Sequence, residues 1–360
     1  MIHIQPFEAI LPKTSMINAP DSFFAQVKEQ YQSLAKAGYF QQETSKCFYV
    51  YRIEGALGAH LGLLAASPVQ DYLDGNVLKH EQTLAAKEEK TTKLVLDRGA
   101  MIKPVVLAYR PVEAITALLN DIATTQNHSY KISLKSGKHT FWKVSDAETI
   151  ALFQQYFATS VEKTYIADGH HRMASAATLF QSTKQHQYIL AAFFATNELN
   201  IWDYNRVVEG LNDQSPLTVM AKLSDVCHIA PLKKLIAPKQ KHDLAMHLDG
   251  QWFGLRWRNK VLENGNGVAE QLDSNLLNEH ILKTILGIAD IRTDFRVTYW
   301  EGVKGLDVLA QRGRIPTVSF ALFPVSIHDF LSLADNNETM PPKSTWFEPR
   351  IKNGLISMGI

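Results

Sequence analysis

The spacing of apolar residues changes several times along the chain, and each change marks an element. Over residues 21–37, Phe23, Phe24, Val27, Tyr31, Leu34 and Ala35 recur at three-and-four spacing. That predicts an amphipathic helix with Asp21 or Ser22 as N-cap and Gly38 as its stop. Residues 47–53 and 59–66 are strand-like and are separated by the turn-forming Glu54-Gly55, which predicts a hairpin. The apolar, β-branched run 104–109 predicts a buried strand, and 112–124 returns to helical spacing. Two more strands are expected at 130–134 and 139–144, then a helix at 147–158. The order strand, turn, helix recurs over 165–180. Residues 188–196 and 206–208 add strands, 217–223 reads as helix, and 250–262 as a hairpin followed by the turn 264–267. The lysine-rich stretch 233–247 lacks aromatics and arginine, so it predicts a surface helix rather than a nucleic-acid contact.

This alternation predicts a mixed α/β (α+β) protein. With 360 residues, the chain is long enough for two lobes, expected at 1–150 and 151–360 and closely associated. Hydrophobic residues at 46% and charged residues at 20% predict a sizeable core rather than disorder. The 37 basic and 36 acidic residues nearly cancel, so nothing draws the whole molecule to nucleic acid or anionic lipid, and any anion site must be local. Cys47 and Cys227 have neither metal-ligand nor redox spacing, which suits a reducing, cytoplasmic setting. No signal peptide is expected at the start. The longest apolar runs reach about half of the roughly 20 residues that a membrane-spanning helix needs.

Four common catalytic patterns are absent. Ser136-Gly137-Lys138-His139-Thr140 has the lysine of a phosphate loop, but Ile132 stands where its first glycine belongs. Gly265-Asn266-Gly267 lacks the third glycine of a dinucleotide fingerprint, and no nucleophile elbow occurs. His80-Glu81 is followed by Leu84 where a zinc-protease helix has its second histidine.

The chemistry concentrates in Tyr165-Ile166-Ala167-Asp168-Gly169-His170-His171-Arg172. It reads as a strand end, a turn and a helix start carrying two imidazoles and a guanidinium. Backbone N–H groups at a helix N-terminus and the fork of arginine both suit phosphate oxygens. Gly169 would let a ligand approach the backbone, while Ala174, Ala176 and Ala177 would let the helix lie close to a sheet. Asp168 has two readings, a helix cap or a carboxylate that holds a divalent cation or orients a histidine. The two histidines with Asp168 are also a transition-metal set, although no third well-spaced ligand is visible. Lys79-His80-Glu81-Gln82-Thr83 offers an acid, a base and a hydroxyl. Met340 to Pro349 sets Lys343, Ser344 and Thr345 between prolines, where the plain alternative is a stiff turn anchored by Trp346 and Phe347.

Ordered blocks along nearly the whole chain resemble the bacterial and archaeal proteins grouped as domain of unknown function 1015. They include Pro6-Phe7, Tyr49-Val50-Tyr51-Arg52, His80-Glu81 with Thr83, Pro104-Val105-Val106, Asp168 to Arg172, Asn205-Arg206-Val207-Val208 and the stretch from Met340 to Gly354. The chain departs from the pattern at Asn18-Ala19-Pro20, and at Asn205, where many relatives carry histidine. The turn Asp168 to Arg172 is also similar to the phosphate-binding turn of the ParB/sulfiredoxin-like superfamily, which includes a free-serine kinase.

The second resemblance implies a ParB/sulfiredoxin-like core with added strands and helices, and a nucleotide-binding phosphotransferase acting on a small hydroxyl compound such as free L-serine. ATP or ADP is the implied nucleotide, with Mg²⁺ at Asp168. Gly169, His170, His171 and Arg172 would hold phosphates, and Lys343, Ser344 and Thr345 would close the site. Glu81, whose role no residue match to that superfamily supplies, is the expected base with His80 beside it, and Asp168, His170 and His171 complete the expected catalytic set. Two other readings stay open, a phosphate-ester hydrolase for a phosphoserine-like substrate and a ParB-like nucleotide switch or scaffold. A small molecule and a nucleotide are thus the expected partners, without membrane or nucleic acid. The oligomeric state stays open, a homo-oligomer included.

Overall fold

Val105-Val106-Leu107-Ala108-Tyr109 is buried at every position, as expected of a strand covered on both faces. In the computed structural model, which describes residues 1–263, 267–310 and 317–360, this strand lies inside an eight-stranded mixed sheet. The turn expected at 264–267 lies outside the described residues except for Gly267. The chain divides into two compact units, Met1–Asn200 with Pro349–Ile360, and Ile201–Glu348. A boundary near residue 150 would fall inside the helix Ala147–Ser160 and cut the eight-stranded sheet, whose last strand is Tyr188–Ala195.

In the first unit the sheet runs in the order Val77–Leu78, Thr164–Asp168, Val105–Tyr109, Tyr188–Ala195, Gly58–Pro68, Phe48–Gly55, Gly137–Val144 and Tyr130–Leu134. Two pairings matter for function. Val77–Leu78 runs parallel to Thr164–Asp168, with Tyr165 opposite Leu78. The chain leaving one strand therefore emerges beside the chain leaving the other. Val105–Tyr109 runs antiparallel to Thr164–Asp168, with Asp168 opposite Val106 and a register shift between Ile166 and Asp168. The start of the first thus abuts the end of the second, and such an irregularity re-aims the side chain beyond it.

The expected strand, turn and helix at the motif is present: strand Thr164–Asp168, Gly169 with φ 110, and helix His170–Thr183. Ala174, Ala176 and Ala177 are buried as this helix packs on Val105–Tyr109 and Tyr188–Ala195. The helix Ala85–Arg98 packs on it in turn. Ser175 Oγ reinforces that contact by donating to the carbonyls of Glu88 and His171 at 2.8 and 2.6 Å. A small sheet joins Ala9–Pro12 to Phe40–Gln42 and to Ser357–Gly359, which also pairs with Ala100–Met101. The first helix spans Pro20–Lys36 with Ala19 as N-cap and no side-chain cap. Asp21 does not cap it; its carboxylate accepts the Lys135 N–H at 3.0 Å instead.

The second unit is built on a six-stranded antiparallel sheet in the order Cys227–Leu232, Gln251–Trp257, Asp243–Leu248, Thr317–Leu322, Tyr204–Glu209 and Val297–Glu301. Its core gathers Val208, Leu223, Trp257, Leu277, Ile281 and Phe320. The surface helix expected at 233–247 does not form. Pro238 interrupts the segment, and Leu244, Met246 and Leu248 alternate along a strand that fills the middle of the sheet. Asp249 and Gly250, both at positive φ, close its hairpin with Gln251–Trp257. Among the described residues no helix is long and apolar enough to cross a membrane.

Candidate functional site: an anion-binding turn

The antiparallel register delivers Lys103, two residues before Val105–Tyr109, to the end of Thr164–Asp168. Its Nζ lies 2.9 Å from Asp168 Oδ2. One helical turn past Asp168, Arg172 Nη2 approaches the same oxygen at 2.7 Å. Arg350, from the C-terminal segment of this unit, adds a third positive charge. Burial is the largest influence on the Asp168 carboxyl and opposes ionisation. Arg172, Lys103 and Arg350 outweigh it and hold the group well below the usual carboxylate range. Burial, then Arg172, push the Lys103 ammonium down.

Asp168 is therefore not the helix cap; Gly169 occupies that position without a side-chain hydrogen bond. Nor does it suit the expected Mg²⁺. A hard cation needs carboxylate oxygens facing away from positive charge, whereas this carboxylate already neutralises Lys103 and Arg172. The guanidinium also folds over the turn, and a Cβ added at Gly169 would sit 2.6 Å from Arg172 Nη2. Glycine at this position leaves room for the guanidinium as well as supplying a left-handed bend.

The parallel register brings the loop after Val77–Leu78 to the start of the motif helix. His170 Nε2 accepts the backbone N–H of His80 at 3.4 Å, and His171 Nε2 accepts that of Leu84 at 3.3 Å. The His80 and His170 rings meet edge to face, with centroids 4.3 Å apart. Burial is the main cause that holds both imidazoles neutral, His170 pushed down to about 3 and His80 well below its usual range. His171 is partly exposed and lowered, by burial first and Lys87 second. The adjacent histidines thus fasten the loop to the helix. Glu81 shares this neighbourhood: one ligand atom each from His80, Glu81 and His170 lie within 4.8 Å of one another.

A cavity of about 310 Å³ is lined by both Lys103 and Arg172. Leu94, Val95, Ile102, Leu179 and Ile189 form its apolar lining, and Lys28 and Arg98 add further positive charge. Apolar walls with a few convergent polar groups are the usual form of a small-molecule site. Here four of the polar groups, Lys28, Arg98, Lys103 and Arg172, are cations, beside Thr91, Thr92, Ser175, His186 and Asn353.

Lys343, Ser344 and Thr345 belong to the second unit. Lys343 Nζ lies 3.4 Å from the Tyr204 hydroxyl and 5.0 Å from its ring centroid. Ser344 Oγ donates to the Pro341 carbonyl at 2.7 Å. These contacts match the proline-stiffened turn. Sequence reasoning missed Lys103 and Arg350. The available signal was a lysine directly before a fully apolar strand and an arginine directly after Pro349.

Fold and site together define a mixed α/β protein in which the strand Thr164–Asp168, its turn and the helix His170–Thr183 border a cleft lined by cations. The chain belongs to the family described as protein of unknown function (DUF1015), whose profile matches residues 2–275. No curated protein matches its sequence significantly. Among solved structures it is similar to SbnI with C-terminal truncation from Staphylococcus aureus, at 11% identity and a TM-score of 0.42, over 81% of this chain and 85% of that one. A free serine kinase in complex with AMP gives 14% and 0.39, over 82% and 92%. A conserved hypothetical protein from Pyrococcus furiosus gives 15% and 0.40, over 83% and 94%. Likenesses of this size carry no argument about activity or site residues.

Proposed function

We propose that the first unit binds a nucleotide and transfers a phosphoryl group between it and a small hydroxyl compound, with ATP or ADP as nucleotide and free L-serine as the first acceptor to try. The observation that carries this reading is the shared lining of one cavity, in which apolar side chains adjoin Lys103 and Arg172 at the turn. A nucleoside would occupy the apolar part and its phosphates the cationic end. Phosphoryl transfer asks a protein mainly for positioning and stabilisation of negative charge. Arg172 and Lys103 supply that charge, and Asp168 aims both by accepting from them. Glu81 is the candidate base for the acceptor hydroxyl, on the loop that His170 and His171 fasten.

The test is a coupled assay of the full chain with ATP or ADP and a panel of amino acids. Transfer by the wild type and a loss of about 10²-fold or more in Arg172→Ala are expected, the size seen when one charge-stabilising donor is removed. Absence of transfer to every acceptor, or equal rates for both proteins, would overturn the reading. Phosphate release from phosphoserine without nucleotide would identify hydrolysis in its place. A nucleotide-dependent change of oligomeric state without turnover would identify a switch.

A further inference from the structure

We propose that His80, Glu81 and His170 bind a divalent first-row transition ion through two imidazole nitrogens and one carboxylate oxygen. The site depends on strand order. Because Val77–Leu78 and Thr164–Asp168 are parallel neighbours, the residues following each strand reach the same end of the sheet, although 90 positions separate His80 from His170. One potential ligand atom from each of the three residues lies within 4.8 Å of the other two. An ion bound at about 2.0–2.2 Å holds its ligand atoms roughly 3–4 Å apart. Small side-chain rotations therefore close the set.

The chemistry of the donors selects the ion. Imidazole suits zinc, cobalt, nickel and iron, whereas magnesium and calcium prefer oxygen alone. His80 and His170 are 3% and 6% exposed, so both imidazole donors are held in the interior of the fold. Three protein ligands leave further positions for water or an anionic oxygen, the pattern of a site that handles substrate rather than a closed structural site. Asp168 stays outside the set, held by Lys103 and Arg172.

The inference does not rest on phosphotransfer, because binding is measured without nucleotide. Chelator-stripped, untagged full-length protein is titrated with Co²⁺ by visible absorbance and with Zn²⁺ by calorimetry. One ion per chain is expected for the wild type. Affinity should fall about tenfold or more in Glu81→Gln, and His80→Ala and His170→Ala should abolish binding. Should the buried histidine variants fail to fold, Glu81→Gln decides the matter by itself, because its side chain is only half-buried in a loop. The proposal is overturned by no stoichiometric binding to the wild type, by equal affinity in Glu81→Gln, or by binding lost in Asp168→Asn and kept in Glu81→Gln. A lower turnover in Glu81→Gln with unchanged metal affinity would leave Glu81 a base and exclude it as a ligand.

Discussion

Two aspartates, Asp168 half-buried and Asp203 buried, show opposite outcomes of the same competition between desolvation and charge. At Asp168 three cations outweigh burial and keep the carboxylate ionised. At Asp203, in the second unit, burial prevails, and the carboxyl is pushed up to about 6. Its Oδ2 has no hydrogen-bond partner among the described residues, and a Cβ on Gly302 would fall 2.1 Å from its Oδ1. A carboxyl whose folded value is raised binds its proton more tightly when folded. Its contribution is therefore fully present below about pH 4 and is lost as the pH rises through about 6. Asp203→Asn, which cannot ionise, should show no such loss. The stability of wild type relative to this variant should fall by the order of 2 kcal/mol between pH 4 and 7, read from urea unfolding at several pH values. A constant difference would place the Asp203 carboxyl at its ordinary value. Both residues were visible in the sequence, but neither outcome was, because burial decides Asp203 and Asp168 is held by Lys103, 65 positions away, and Arg350 as well as by the nearby Arg172.

At the scale of elements, helix His170–Thr183 and its turn form one device. Gly169→Ala would force a side chain into positive φ and against the Arg172 guanidinium. A loss of about 1 kcal/mol or more of stability is expected, together with weaker binding of ADP in calorimetry. Retained nucleotide affinity would show that the folded-over guanidinium is not needed for binding. The motif's strand, turn and helix were legible from its apolar run, glycine and small residues. So were the hairpin Phe48–Gly55 with Gly58–Pro68 and the helices Glu113–Thr125 and Ala147–Ser160, because their spacing is set by nearest-neighbour geometry. Segment 233–247 was misread because its lysines suggested a solvated helix, whereas the sheet on either side of Asp243–Leu248 decides its state.

For the whole molecule, the last residues return to the first unit. Ser357–Gly359 pairs with Ala9–Ile10 and Ala100–Met101, Leu355 accepts from the Tyr130 hydroxyl at 2.8 Å, and Gly354 lies against Val27. Arg350 in this segment adds positive charge to the surroundings of Asp168. Truncation after Glu348 should therefore lower the unfolding temperature of the first unit by several degrees and weaken nucleotide binding, as checked by circular dichroism and calorimetry. Unchanged melting would mean that the returning segment contributes nothing to that unit.

The sequence by itself determined the fold class, most local elements, the family resemblance and the turn on which the candidate site is built. These depend on residue type and on spacing over a few positions. Tertiary structure decided which side chains meet there. Lys103 reaches Asp168, Arg350 adds positive charge to its surroundings, and His80 and Glu81 come close to His170, while Lys343, Ser344 and Thr345 belong to the second unit. The physical reason is that strand order and register set those encounters, and both are properties of the assembled sheet rather than of any local stretch of chain.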